Sequence, residues 1–377
     1  MRYYHGTIFG EHGFFSGGFA VENGRFTELL PDAAAGDGVD LGGLTVLPGL
    51  VDIHIHGSAG ADFSDGDVAG LERMARFLAA HGVTSFVPAS MTLPYETLAA
   101  AFQTAAAFRE RRPADCARLL GIHMEGPFLA EARKGAQNGA YLRAPDYSAF
   151  EALYWGCGGL IRLVDLAAEL PGAAAFTRQA AKLCTVSVAH TAAAYEEAAA
   201  VFDAGASHLT HLYNAMPPLL HRAPGPIGAA SERENVTAEL ICDGLHVHPS
   251  AVRAAFRLFP GRVCLVSDAL RCAGMPPGEY ELGGQRVFLR DGAAKLENGS
   301  LAGSSANLFD CVKNAVRFGI SPPDAVLSAS LLPARAAGQD TLVGSIAPGK
   351  DADFLVCDGD WNLKAVYMNG KRLENNL

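Results

Sequence analysis

The sequence predicts an α/β chain, a (β/α)8 TIM-type barrel with a small β-sandwich domain formed by both chain termini. Three observations predict it. From about residue 46, eight short apolar runs alternate with longer amphipathic stretches, the pattern of a parallel sheet with crossover helices. The two ends of the chain have a different texture, of short β-like pieces separated by glycine turns. Histidines and acids close five of the eight apolar runs. The 377 residues also exceed the roughly 250 of a minimal eight-fold barrel, which leaves room for a second unit.

The ends come first. Residues 1–45 carry β-like pieces at Tyr4–Phe9, Gly18–Glu22 and Phe26–Leu30. Residues 343–377 repeat that texture at Asp353–Cys357 and Lys364–Met368, followed by the turn pair Asn369-Gly370. Neither end is long enough to bury a core alone, so the two are expected to combine into one small domain.

Residues 46–342 form the expected barrel. Its strands are Leu50–Ile55, Ser85–Pro88, Leu119–Met124, Ile161–Leu166, Thr185–Ala189, His208–His211, Ala238–Cys242 and Val263–Val266. Between them, Asp67–His81, Tyr95–Arg111, Tyr195–Ala204 and Pro249–Phe259 have helical spacing. Leu71, Met74, Ala75 and Leu78, for example, fall on one face at i, i+3, i+4 intervals. A segment of about 273–302, with the alternation of a β-hairpin, follows the last strand and is expected to cover the mouth of the site.

The net charge of −10 argues against nucleic acid or an anionic membrane as partner, though not against a small anion in a local basic pocket. Eight scattered cysteines without a C-x-x-C pair read as buried thiols in a reducing compartment. The start lacks the apolar segment of a secretory signal, and no apolar run reaches membrane-spanning length. The expected location is cytoplasmic.

The chemistry of such a barrel lies at the C-terminal ends of its strands. The first strand ends in Asp52-Ile53-His54-Ile55-His56, and a period of two puts His54 and His56 on one face. The third ends in His123-Met124-Glu125, the fifth in His190, the sixth in His211 and the eighth in Asp268. A lone strand-end histidine is as often a satisfied structural residue as a ligand. Imidazoles and carboxylates from five strands at one ring of positions are a different matter, being the donor set of a borderline cation such as Zn2+. A cation there acidifies water and polarises a carbonyl. Asp268 is placed to take a proton from that water and return it to a departing amine. No G-x-S-x-G elbow competes.

With these residues in view, the chain resembles the amidohydrolase superfamily, and within it the N-acetylglucosamine-6-phosphate deacetylases. The resemblance runs over nearly the whole chain, and its most specific blocks are His123-Met124-Glu125-Gly126-Pro127 and Thr210-His211-Leu212-Tyr213-Asn214-Ala215-Met216. It implies that Glu125, His190 and His211 hold the principal metal, with His54 and His56 leaving a second site open, so one or two ions per subunit. Zn2+ is the expected metal, with Fe2+ and Mn2+ compatible with the same donors. Asp268 would be the acid/base. Asn214, Ala215 and Arg222 match positions that hold a sugar phosphate, and His246 one that contacts the substrate. A guanidinium fork suits phosphate. The family often carries histidine where Gln137 stands, a side chain that hydrogen-bonds without becoming a cation.

The implied activity is removal of the acetyl group from N-acetylglucosamine 6-phosphate in amino sugar metabolism, by a homodimer. The alternatives are the galactosamine epimer as substrate or cyclic-amide hydrolysis. Relatives that open cyclic amides carry a modified lysine at the end of the fourth strand, where Ile161-Arg162-Leu163-Val164-Asp165-Leu166 has none. A non-catalytic barrel would be expected to lose ligands that this chain keeps.

Overall fold

Each of the eight expected apolar runs is a strand: Leu50–Ile55, Val83–Pro88, a third in two pieces, then Ile161–Leu166, Thr185–Val188, His208–Leu209, Thr237–Ile241 and Val263–Val266. The computed structural model describes residues 1–111 and 113–374. All pairs among these strands are parallel. A helix follows every strand, from Val68–Ala80 after the first to Leu308–Arg317 after the eighth. The helix Val68–Ala80 buries Leu71, Met74, Ala75 and Leu78, the predicted face. Asp67 caps it, accepting from the Ala69 and Gly70 N–H groups at 3.0 and 2.8 Å, an arrangement that stabilises a helix by about 1 kcal/mol.

The strands lie in two curled sheets rather than one continuous ladder. The third strand is the reason. Arg118–Leu119 pairs with the second strand, whereas Ile122–Met124 pairs with the fourth. Gly121 stands between, where a Cβ would come within 2.6 Å of the Leu160 carbonyl oxygen. Only glycine lets the chain pass so close. The two sheets also meet where Ala89 bridges His123 in parallel, and where the Asp268 N–H donates to the His54 carbonyl at 2.9 Å.

The termini form one eight-stranded sheet, in which Thr45–Pro48 links the N-terminal strands to Phe354–Cys357 and Leu363–Met368. Where two layers were expected, a single sheet curls over on itself. Phe19 and Phe354 lie three strands apart in its order, a flat separation of roughly 14 Å, yet their rings stack edge-on at 5.0 Å. Tyr3, Phe26 and Val46 fill the enclosed space. The segment after the eighth strand is larger than a hairpin. It makes four antiparallel strands, Gly278–Leu282, Gln285–Arg290, Ala293–Leu296 and Leu301–Gly303. Its apolar side packs on Met91, Ala136 and Leu270 beside the strand ends. All eight cysteines are free, seven of them buried. Among the described residues no helix is long and apolar enough to cross a membrane.

Candidate metal centre

The strand-end residues converge. Glu125 lies at the middle, with Oε1 3.0 Å from His190 Nε2, 3.2 Å from His211 Nε2 and 3.6 Å from His54 Nε2. Its other oxygen faces His56 Nε2 at 3.3 Å. Asp268 Oδ1 stands 3.3 Å from His56 Nε2 and 3.7 Å from His54 Nε2. Two compact sets of donors result, Glu125 with His190 and His211, and His54 with His56 and Asp268.

The far side of each ring explains which nitrogen faces inward. His190 Nδ1 pairs with the Arg133 carbonyl at 2.8 Å and His56 Nδ1 with the Ala89 carbonyl at 3.2 Å. A carbonyl only accepts, so in both rings Nδ1 carries a proton, and Nε2 is the nitrogen turned toward the carboxylates. His54 Nδ1 pairs with Glu239 Oε2 at 2.8 Å. Its Nε2 is buried with no hydrogen-bond partner. His190 Nε2 and His211 Nε2 face one another at 3.0 Å across the Glu125 carboxylate.

Converging imidazole nitrogens and carboxylate oxygens in a buried place are a donor set for a cation. Donors about 2.0–2.2 Å from a shared tetrahedral ion stand roughly 3.3–3.6 Å apart, so Glu125, His190 and His211 fit one after a shift of a few tenths of an ångström. A third compact set, His54, His123 and Glu239, does not fit. His123 engages both nitrogens, with the Ile53 carbonyl and Asp165 at 2.9 Å each. It belongs to a polar layer beneath the site.

Charge and strain mark the same residues. Burial pushes the Glu125 carboxyl up, but the His54 charge and the His190 and His211 hydrogen bonds outweigh it, holding Glu125 well below the usual carboxylate range. For His54, burial lowers the imidazole while Glu239 and Glu125 more than reverse this, leaving it well above its ordinary value. Asp268 is raised by burial and lowered further by its bond to His56 and the charges of His54 and His56, ending below the ordinary aspartate. His190, His211 and Asp268 have φ of 40°, 29° and 47°. Left-handed backbone costs a non-glycine residue about 1–3 kcal/mol and clusters at functional sites.

Above the donors lies a cavity of about 320 Å3, within the range of small-molecule sites. His56, Glu125, His190, His211, His246 and Asp268 line it, with Leu282 and Leu301–Gly303 of the four-stranded insertion on one wall. Of the expected substrate contacts, Asn214, Ala215, His246 and Gln137 also line it. The Asn214 amide donates to the His211 carbonyl at 3.2 Å, and Ala215 has φ 52°. His246 Nδ1 pairs with Asp243 at 2.7 Å. Gln137 donates from Nε2 to Glu125 Oε2 at 2.6 Å. Arg222 is not brought in. It is exposed, does not line the cavity, and its guanidinium pairs with His221 Nε2 at 2.8 Å.

Sequence reasoning missed Glu239. It is fully buried and accepts from His54 Nδ1 at 2.8 Å, His208 Nε2 at 3.1 Å and the His211 N–H at 3.1 Å. One acid thus orients histidines from the first and sixth strands. The signal was a single acid inside the apolar run Ala238-Glu239-Leu240-Ile241.

A family model for the amidohydrolase family matches residues 45–373. The N-acetylgalactosamine-6-phosphate deacetylase of Escherichia coli O157:H7 is 36% identical over 328 residues, 86% of this chain and 87% of that protein. The N-acetylglucosamine-6-phosphate deacetylase of Vibrio furnissii is 35% identical over 354 residues, 93% of this chain and 88% of that one. Among solved structures, the N-acetyl-D-glucosamine-6-phosphate deacetylase of Mycobacterium smegmatis, a mutant in complex with N-acetyl-D-glucosamine-6-phosphate, superposes with a TM-score of 0.94 at 31% identity, covering 100% of this chain and 99% of that one.

Proposed function

The chain belongs to the amidohydrolase family, and we propose that it hydrolyses the acetamide of N-acetylglucosamine 6-phosphate to glucosamine 6-phosphate and acetate. The observation that carries the reading is the convergence of Glu125 with His190 and His211 at the floor of a cavity that Asp268 also lines. Glu125, His190 and His211 would hold a divalent cation, Zn2+ first by donor type, with Fe2+ and Mn2+ compatible. His54, His56 and Asp268 could take a second beside Glu125 Oε2. When bound, the cation supplies Lewis acidity toward the amide carbonyl and acidifies water.

The chain's own residues do the rest. Asp268, ionised at neutral pH, accepts at a carboxylate oxygen the proton that water loses as it attacks the carbonyl. It returns that proton to the amide nitrogen, so the C–N bond breaks with a neutral amine leaving. His246, held by Asp243, and the Asn214–Ala215 backbone border the space for the sugar. Arg222 is the candidate partner for the phosphate and must swing in from its exposed loop. Gln137, expected among the substrate contacts, is taken up below.

We read the two parallel sheets as one eight-stranded barrel, because residues 118–124 belong to both and the Asp268–His54 bond joins their other edges. In this reading residues 46–342 are the barrel, with 1–45 and 343–377 as the terminal β-unit. We also place the protein in the cytoplasm as a homodimer. The buried free thiols and the exposed apolar Leu219, Leu220 and Leu245, which a second subunit would cover, support this.

The experiment is amine release from N-acetylglucosamine 6-phosphate by the purified protein, with metal content measured alongside. Turnover should be abolished by a chelator and restored by Zn2+. A metal-loaded protein inactive on this sugar phosphate sinks the gluco assignment. The second substrate to assay is N-acetylgalactosamine 6-phosphate, because the Escherichia coli relative is named for it.

A further inference from the structure

Gln137 is only 3% exposed, and both ends of its amide are engaged. Oε1 accepts from the Thr92 backbone N–H at 2.7 Å, and Nε2 donates to Glu125 Oε2 at 2.6 Å. Chemistry fixes that orientation. A backbone N–H needs an acceptor and an ionised carboxylate needs a donor, so turning the amide over would set like against like at both ends. In this orientation the amide turns its NH2 group, which has no lone pair for a cation, toward Glu125, and its oxygen is held against the Thr92 N–H.

The backbone around it is held as well. The Gln137 N–H donates to the Lys134 carbonyl at 2.9 Å. Gln285 of the four-stranded insertion donates to the neighbouring Ala136 carbonyl. Gln137 therefore joins a fixed backbone point after the second strand to one oxygen of the central carboxylate.

We propose that Gln137 is a positioning residue that orients Glu125 for metal binding, not a substrate contact. The terminal torsion of a glutamate is broad and settles on no single value by itself. With Oε2 tethered, Oε1 stays between His190 and His211, and Oε2 is directed toward His56. The tether is neutral at every pH. This inference rests on the reading of Glu125 as a ligand, so its test must separate the two.

The test measures the Zn2+ dissociation constant of the purified full-length protein by competition with a chromophoric chelator. Wild type is compared with Gln137→Leu, which removes both hydrogen bonds, and with Gln137→Asn, which keeps the amide but is one methylene too short to span both partners. Loss of a hydrogen bond that orients a metal ligand weakens metal binding about 10–100-fold, and both variants should show it. The KM for N-acetylglucosamine 6-phosphate under Zn2+ saturation should stay within about twofold, as expected when no substrate contact is lost. An unchanged Zn2+ constant overturns the proposal, whether KM rises (a substrate contact after all) or only the thermal midpoint of the metal-free protein falls (a packing role). A wild type that binds no Zn2+ fails differently, since it removes Glu125 as a ligand.

Discussion

Replacing Asp268 with asparagine isolates its proton chemistry. Asp268 has φ 47°, and asparagine is among the few non-glycine residues that accept a left-handed backbone readily. The substitution is also isosteric, so the bond from the Asp268 N–H to the His54 carbonyl, 2.9 Å, should survive. Where Asp268 Oδ1 now faces His56 Nε2 at 3.3 Å, an asparagine amide can present either its oxygen or an N–H to that nitrogen. The fold should therefore persist, and Glu125, His190 and His211 should still bind metal. What disappears is a group that accepts the water proton and delivers it to the leaving nitrogen. General acid–base catalysis contributes about 10²–10⁴ in rate, or roughly 3–5 kcal/mol of barrier. Asp268→Asn should lose that factor in kcat, with KM little changed. The assay is amine release at full metal loading, confirmed by elemental analysis. Because Asp268 is held below the ordinary aspartate value, its active, ionised form is complete at neutral pH and is lost only as pH falls through that depressed pKa. The wild-type rate limb due to Asp268 should thus lie below about pH 4. Activity of a metal-loaded Asp268→Asn within about tenfold of wild type would refute the acid/base role.

Two further outcomes follow from the same geometry. Glu239→Gln keeps an acceptor for His54 Nδ1 and the His211 N–H, while His208 can shift its proton toward Thr237 Oγ1, 2.6 Å from its Nδ1. Only the charge behind His54 is lost, and metal affinity should fall about 10–100-fold; unchanged affinity and stoichiometry in a chelator titration would remove Glu239 as an orienting residue. Arg222→Ala should raise KM for the phosphorylated sugar about 10–100-fold, the equivalent of a charge-assisted hydrogen bond, and leave the unphosphorylated sugar unaffected. An equal change for both substrates would end the phosphate assignment.

The strands and the converging strand-end donors were legible because both follow from local rules. Apolar runs of four to six residues between amphipathic stretches have few other uses in a chain of this length. Period two alone places His54 with His56. Other features depend on facts that no single segment contains. The third strand looks like one run, but its two pieces pair with different neighbours because Gly121 passes close to the Leu160 carbonyl. The terminal sheet curls because Phe19 and Phe354, more than 300 residues apart in the chain, pack together. Gln137 was legible as a departure from a pattern, but its partner Thr92 is 45 residues away. Glu239 was passed over because an acid in an apolar strand declares its inward position without declaring its partners.

The strained strand ends and the buried charges are two parts of one arrangement. An extended strand points alternate side chains to one face of its sheet, and past the last ladder bond the direction is no longer imposed. A left-handed turn at His190, His211 and Asp268 accompanies the aim of the first two at Glu125 and of the third at His54 and His56. At about 1–3 kcal/mol each, these turns together approach the 5–15 kcal/mol by which whole domains are stable. His190 Nε2 and His211 Nε2 stand within hydrogen-bond distance of each other, 3.0 Å apart. Such a cluster persists only where surroundings over-determine it. Here these are the carbonyls of Arg133 and Ala89, the Glu239 carboxylate and the Gln137 amide, each fixed by backbone or by other buried groups. The donors are thus held in place by the fold, so that binding an ion does not add the cost of ordering them. That is why the partners behind the donors, and not the donors alone, should set how tightly this chain would hold a metal.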